Sequence, residues 1–237
     1  MLLALACFII AIGSMAQTAI GFGLGLIAVP FLVLIDPQMV PAPIIMIAFV
    51  QLLISAWVHR QSIQWPALWV ATISRIPGTA LAVWLMSVTG IEGIKIFIGS
   101  AVLITVALSL FKISAEPNNR NHIIAGFFSG FSGTATSIGG PPMALLYQNQ
   151  PADLVRANLS AYFSIGSLIS LAGMAAGGFV TVQSGIYFAY FLPAALIGVW
   201  LGLKLRHHLK PTFMRPAILI LCSVSASALL IQTLWLA

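Results

Sequence analysis

Twice in this chain an apolar run is broken by glycine, at residues 18–30 (TAIGFGLGLIAVP) and at residues 126–147 (GFFSGFSGTATSIGGPPMALLY). In hydrocarbon every backbone N–H and C=O needs a partner inside the protein, so irregular chain persists only within protein or beside a water-filled cavity. Two such breaks, one in each half of a chain, point to a transporter's binding site. The sequence around them makes lipid the relevant solvent. Of 237 residues 60% are hydrophobic and only 6% charged, against about 25% charged in a soluble domain.

Read in order, residues 1–17 and 21–35 form two apolar arms. At ~1.5 Å per residue, neither comfortably crosses a ~30 Å core. The apolar start has no basic n-region and no clear cleavage site, and is read as part of the mature bundle. Residues 37–58 and 65–86 are long enough to span, the latter interrupted by Arg75-Ile76-Pro77-Gly78, and residues 92–111 span again. The polar stretch 112–122 (KISAEPNNRNH) divides the halves. Residues 123–137 and 139–148 repeat the short arms, and 154–176, 185–203 and 213–236 repeat the spans. The organisation expected is a first membrane repeat over 1–111, a cytoplasmic connection over 112–121 and a second repeat over 122–237.

Two correspondences support a duplicated unit. Gly21 to Pro30 and Gly133 to Pro142 run from glycine to proline over equal intervals. Pro77 with Val83-Trp84-Leu85 matches Pro193 with Val199-Trp200-Leu201 at identical spacing. Charge then chooses the topology. With each arm pair folded back as a re-entrant hairpin, one face collects Arg60, Lys112, Arg120, Arg156, Lys204, Arg206, Lys210 and Arg215, and the other keeps Lys95. Treating each pair as a full crossing gives a weaker split, so the positive-inside rule prefers hairpins. The expected fold is an all-α polytopic membrane protein of two inverted repeats, each a re-entrant helix pair plus three transmembrane helices. Both termini are then periplasmic and the loop 204–215 cytoplasmic.

The net charge of +6 sits in short loops and reads as a topology signal, not as a nucleic-acid surface. Asp36, Glu92, Glu116 and Asp153 all fall at segment ends, where a carboxylate is ordinarily a solvated cap, so neither a carboxylate proton relay nor a cation site is expected. His59 and His122 are placed in loops and His207-His208 in the basic loop, without metal-ligand geometry. Cys7 and Cys222 lie in opposite terminal segments. No nucleophile-elbow, H-E-x-x-H or Walker pattern occurs, so no enzyme, cofactor or metal is expected.

Arg75 is the exception. It lies ten residues past the interfacial Trp65, roughly 15 Å deep. A charge there costs at least ~2.5 kcal/mol and faces a cavity or a partner. Two compatible readings stand: a guanidinium gripping a bound oxyanion, or an arginine bonded to broken-helix carbonyls near Pro77. Helices restarting after the breaks present unpaired N–H groups and a positive dipole end, which favour an anion. The residues assigned to such a site are Gly21, Phe22 and Gly23 at the first break and Ser137, Gly139 and Gly140 at the second. Hydroxyls of Thr18, Thr134 and Thr136 join them. The competing reading for the glycines is tight packing, since Gly21-x-x-x-Gly25 and Gly126-x-x-x-Gly130 fit the small-residue motif. Gln17, Gln51, Tyr147 and Asn158 are read as helix–helix hydrogen-bonding groups.

The run Gly21-Phe22-Gly23-Leu24-Gly25 through Pro30 resembles the G-x-G-G-G…P signature of the TauE/SafE sulfite exporter family, with Leu24 in place of one glycine. Gly126-Phe127, Gly130, Gly133 and Gly139-Gly140-Pro141-Pro142 are similar to that family's second-repeat signature. The resemblance covers essentially the whole chain. It implies secondary transport of a small sulfur-containing anion, sulfite or an organosulfonate, across the bacterial inner membrane, with the lipid bilayer as the other partner and a homodimer admitted. Pro77, Gly78, Gly173 and Pro193 are the hinge candidates. The alternatives are a passive anion channel on the same site and a non-transporting structural subunit whose glycines serve packing alone.

Overall fold

The structure is a computed structural model, and it describes residues 2–21, 23–110, 116–147 and 149–205, together with Ser227 and Ile231. Eight α-helices are described: α1 (Leu2–Ile20), α2 (Leu24–Ile35), α3 (Ala42–Val58), α4 (Trp65–Leu110), α5 (Asn119–Thr136), α6 (Gly140–Tyr147), α7 (Ala152–Ala176) and α8 (Val182–Leu205). Five stretches are long and apolar enough to cross a membrane: Leu2–Ala19, Pro37–Val58, Trp65–Thr89, Asp153–Ala176 and Val182–Leu205. Phe22, Lys112, Arg206, His207, His208, Lys210, Arg215, Cys222 and, apart from Ser227 and Ile231, the expected span 213–236 lie outside the described residues.

Helix α1 is longer than the arm expected over 1–17. Thr18 turns its hydroxyl back onto Ser14 O, and the helix runs on to Ile20 before Gly21 takes φ +102°. At ~1.5 Å per residue that is about 28 Å, close to the full hydrocarbon thickness. The break expected between residues 86 and 92 is also absent. Helix α4 is continuous over 46 residues, ~69 Å on the same rise and more than twice a bilayer core. No proline falls between residues 86 and 92, and the Ser87 and Thr89 hydroxyls bond back to Trp84 O and Leu85 O, so the local polarity is absorbed by the helix itself.

The halves interlock. Helix α1 packs along α8, where Gly198 and Gly202 admit Ala11 and Ser14, then Met15 and Thr18. Helix α5 packs along α4, where Gly126 and Gly130 lie on the backbone of Ala71 and Arg75. A Cβ on any of the four would collide with the neighbouring chain. For Gly126 and Gly130 the packing reading therefore holds. Lipid is as apolar as leucine, so such close approach supplies the association that the hydrophobic effect supplies in water. Trp57, Trp65, Trp69, Trp84, Trp200 and Phe8 are correspondingly left exposed on the outside of the bundle.

Helices α3 and α7 form the central pair, tied by Ser160 Oγ donating to Ser55 Oγ at 2.8 Å. Around them the two arm pairs close as hairpins. The outer ends of α1 and α2 both reach the start of α8, through Cys7 on Tyr190 O and Asp36 accepting from the Tyr187 hydroxyl. The outer ends of α5 and α6 meet in a His122–Tyr147 hydrogen bond of 3.2 Å. The first hairpin thus opens beside the α7–α8 connection, and the second beside the start of α7. His122, expected in a loop, is a buried residue of α5, because Asn118 caps that helix by accepting from Asn121 N.

Candidate functional site

The breaks are built from their own sequences. At the first, Gly21 and Gly23 adopt φ +102° and +139°, which an L side chain resists, and the Gln17 side chain reaches round to accept from Leu24 N at 3.0 Å. At the second, α5 ends in Ser137 at φ 60°, and Thr136 Oγ1 accepts from Ile138 N at 3.1 Å. Ser137 Oγ then donates to Pro41 O at 2.9 Å, and Ser129 Oγ to Gly139 O at 2.7 Å. The two breaks touch. A Cβ on Gly25 would strike Ser137 O and C, so the third glycine of the first motif makes the close approach. Leu24, which replaces a motif glycine, instead places its side chain against Gly13 and is buried.

The equivalence between the breaks differs from the glycine-to-proline match. Helices end at Ile20 and Thr136 and restart at Leu24 and Gly140, each pair 116 residues apart, the interval that also separates Pro77 from Pro193. On that interval Gly21 falls opposite Ser137.

Both restarts and Arg75 line one cavity of about 60 Å³. Gly23 to Leu26 come from the start of α2 and Ser137 to Gly140 from the start of α6, with Gln17, Gly133 and Arg75 beside them. Leu52, Phe163 and Ser167 of α3 and α7 complete the wall. The cavity has room for a few waters or one small oxyanion, and two helix N-termini point their partial positive charge at it.

Arg75 is 3% exposed. Its Nε donates to Gly166 O at 3.2 Å, one terminal nitrogen to Ser129 Oγ and the Tyr162 hydroxyl at 3.2 and 3.4 Å, and the other to Ser170 Oγ at 3.1 Å. The Tyr162 ring lies 5.5 Å from the guanidinium carbon. Room for the group is made by missing side chains, since a Cβ on Gly166 would come within 2.6 Å of Nε and one on Gly133 within 3.0 Å of the second terminal nitrogen. These acceptors are neutral. They fix the plane of the guanidinium and leave its charge without a counter-ion among the described residues. Of five N–H donors, four have protein acceptors; the fifth is on the nitrogen beside Gly133. The carbonyls expected near Pro77 are not its partners.

The remaining assigned residues divide. Gly23, Ser137, Gly139 and Gly140 line the cavity with Arg75. Thr18 and Thr136 spend their hydroxyls on Ser14 O and Ser132 O, and Gly21 faces Arg156 instead. Thr134 sits behind the arginine, bonded to Ser170 at 2.8 Å and Thr79 at 3.1 Å. Ser129, Tyr162, Gly166 and Ser170 were not anticipated; their spacing along α5 and α7 is the signal that carries them. Arg156, counted as a loop charge, braces the first break by donating twice to Ala19 O, at 3.2 and 3.0 Å. Among the described residues no His, Cys, Asp or Glu cluster suited to a metal is present.

Compared with known proteins, residues 5–229 match the family model for sulfite exporter TauE/SafE. A protein of Cupriavidus necator described as a probable sulfite/organosulfonate exporter TauE is 24% identical over 230 residues, covering 92% of this chain and 90% of its own length. No solved structure matches.

Proposed function

Because this chain belongs to the sulfite exporter TauE/SafE family, we propose that it is a secondary transporter of a small sulfur oxyanion, sulfite or an organosulfonate, bound at Arg75 between the two breaks. The chain is an all-α, multi-pass protein of the bacterial inner membrane. The observation that carries the proposal is one cavity lined by Arg75 and by the starts of α2 and α6. An uncompensated guanidinium and two helix N-termini converging on a small, largely apolar-walled space suit an anion, and at low dielectric their attraction is strong.

We infer further that the halves are inverted repeats. In support, equivalent positions recur at 116 residues and the hairpins open toward opposite ends of α7. Arg60, Arg120, Arg156 and Lys204 belong to the end where α3 and α8 finish and α4, α5 and α7 begin, which the positive-inside rule makes cytoplasmic. Movement of the hairpins against the α3–α7 pair would then expose the anion to either side.

The test is flux of radiolabelled sulfite in proteoliposomes, with sulfate and taurine as competitors. Wild type is expected to show saturable, trans-stimulated flux, and Arg75→Ala to lose ~10–100-fold, the worth of a charge-assisted hydrogen bond. A passive pore would show neither saturation nor trans-stimulation. Wild-type protein that moves none of these anions overturns the proposal, and unchanged flux in Arg75→Ala removes Arg75 from the site.

A further inference from the structure

Between the central cavity and the cytoplasmic end lies the interface of α3 and α7, which contribute Leu52, Phe163 and Ser167 to the cavity wall. That seam carries an oddity. Gln51 is 2% exposed, and neither its amide nitrogen nor its amide oxygen has a hydrogen-bond partner among the described residues. A buried primary amide left unpaired costs roughly 1–3 kcal/mol per group, and native proteins leave few such groups without a role or a water. A second orphan lies nearer the surface. Asn158, fully buried, accepts from Gln64 N at 2.8 Å through Oδ1, while its Nδ2 has no partner.

Helical spacing connects the two. Gln51 is one turn from Ser55 on the same face of α3, and Ser164 one turn from Ser160 on the same face of α7. The Ser55–Ser160 bond joins these faces, and the helices run antiparallel, so Gln51 and Ser164 come to one level. One turn deeper, Ser167 lines the cavity, with Ala48 and Leu52 opposite on α3. From Ser167 through Ser164 and Gln51 to Ser55, Ser160 and Asn158, polar side chains run along the seam from the cavity to the α3–α4 connection, beside the apolar contacts of Leu52, Leu159 and Phe163. All six are buried. None is charged.

We propose that this seam is the cytoplasmic conduction path and that the Gln51 amide is a second, transient anion station on it. The inference rests on the reading of the central cavity as an anion site. The chemistry suits passage: amide N–H and hydroxyl groups replace part of an anion's hydration, and without a fixed positive charge the anion is not held. The station takes a small hydrated oxyanion of the kind bound at Arg75, and it governs rate more than central affinity.

Two experiments test this. In a background with Cys7 and Cys222 replaced by serine, Gln51→Cys is exposed from the cytoplasmic side to a sulfonate-bearing methanethiosulfonate reagent and to its trimethylammonium counterpart. The sulfonate reagent is expected to react about tenfold faster, each rate being taken relative to a free thiol, because donors line the path and no carboxylate does. No reaction with either reagent, or equal rates, overturns the proposal whether or not sulfite is the substrate. In the second experiment, Gln51→Leu and Gln51→Glu are compared in sulfite flux and in equilibrium sulfite binding. Flux is expected to fall about tenfold in Gln51→Glu, which sets a carboxylate against the anion, and less in Gln51→Leu, with binding at the central site within twofold of wild type. Wild-type flux in both variants overturns the station. Absence of sulfite binding and flux in wild type overturns the central-site reading instead, and the thiol experiment then decides the seam alone.

Discussion

The two breaks reach the same geometry by opposite means. The first is made of backbone: two glycines at positive φ, a glutamine side chain capping the restart, and an arginine from α7 holding Ala19 O from outside. The second is made of hydroxyls: Ser137 in the left-handed region, Thr136 capping Ile138 N, and Ser129 and Ser137 tied to Gly139 O and Pro41 O. Its arginine, Arg75, lies at the cavity. A backbone-built break adapts when a ligand arrives or leaves, whereas a hydroxyl-latched one holds its shape. On the proposed function, this difference makes the first hairpin the more mobile of the two and the second the more rigid part of the anion site.

The largest effect is expected from adding one methyl group to each break. A Cβ on Gly139 would lie 2.8 Å from Ser129 O and 3.1 Å from the Gly133 Cα, backbone against backbone beside the Arg75 partner Ser129. Gly139→Ala should therefore cost more than ~2 kcal/mol in thermal stability and abolish most sulfite flux. A Cβ on Gly23 meets nothing nearer than 3.9 Å, so Gly23→Ala carries only the strain of φ +139°, ~1–3 kcal/mol. Thermal midpoints and flux for both variants check the contrast. Equal losses, or a milder Gly139→Ala, would remove the distinction between an adaptable break and a packed one.

A middle-sized effect belongs to Arg156. Truncation to alanine leaves Ala19 O without its two donors, at a cost of ~1–2 kcal/mol. If the first hairpin is the moving one, Arg156→Ala should alter maximal flux by severalfold and leave sulfite affinity near wild type, the reverse of Arg75→Ala. An affinity change as large as that of Arg75→Ala would place Arg156 in the site itself.

The sequence displayed the breaks and the depth of Arg75 plainly, because glycine, proline and an isolated charge are local signals in an apolar chain. It concealed the partners of that charge. Ser129, Gly166 and Ser170 are residues that any membrane helix carries, and only the meeting of α5 with α7 makes them a cradle. The threonine hydroxyls were equally hidden. Thr18 and Thr136 stand next to the breaks, and their hydroxyls donate back along their own helices to Ser14 O and Ser132 O, a local bond that the sequence does not display. His122 was hidden by its polar neighbours, which form the exposed side of a helix whose other face buries the imidazole against Tyr147.

The smallest and most discriminating effect concerns Ser137, where the second break holds a non-glycine residue at φ 60°. A left-handed L residue costs ~1–2 kcal/mol relative to glycine, and the Ser137–Pro41 bond returns about 1 kcal/mol. Ser137→Ala keeps the strain and loses the bond, so it should fall ~1 kcal/mol below wild type. Ser137→Gly loses the bond and the strain together, and should lie within ~1 kcal/mol of wild type despite having less side chain. Thermal midpoints should therefore place alanine below glycine. The same order in flux would mean that the second break must stay rigid to recognise its anion. If glycine matched wild type in stability but lost flux, the Ser137 hydroxyl itself would be a ligand, and recognition would rest on that contact more than on the rigidity of the latch.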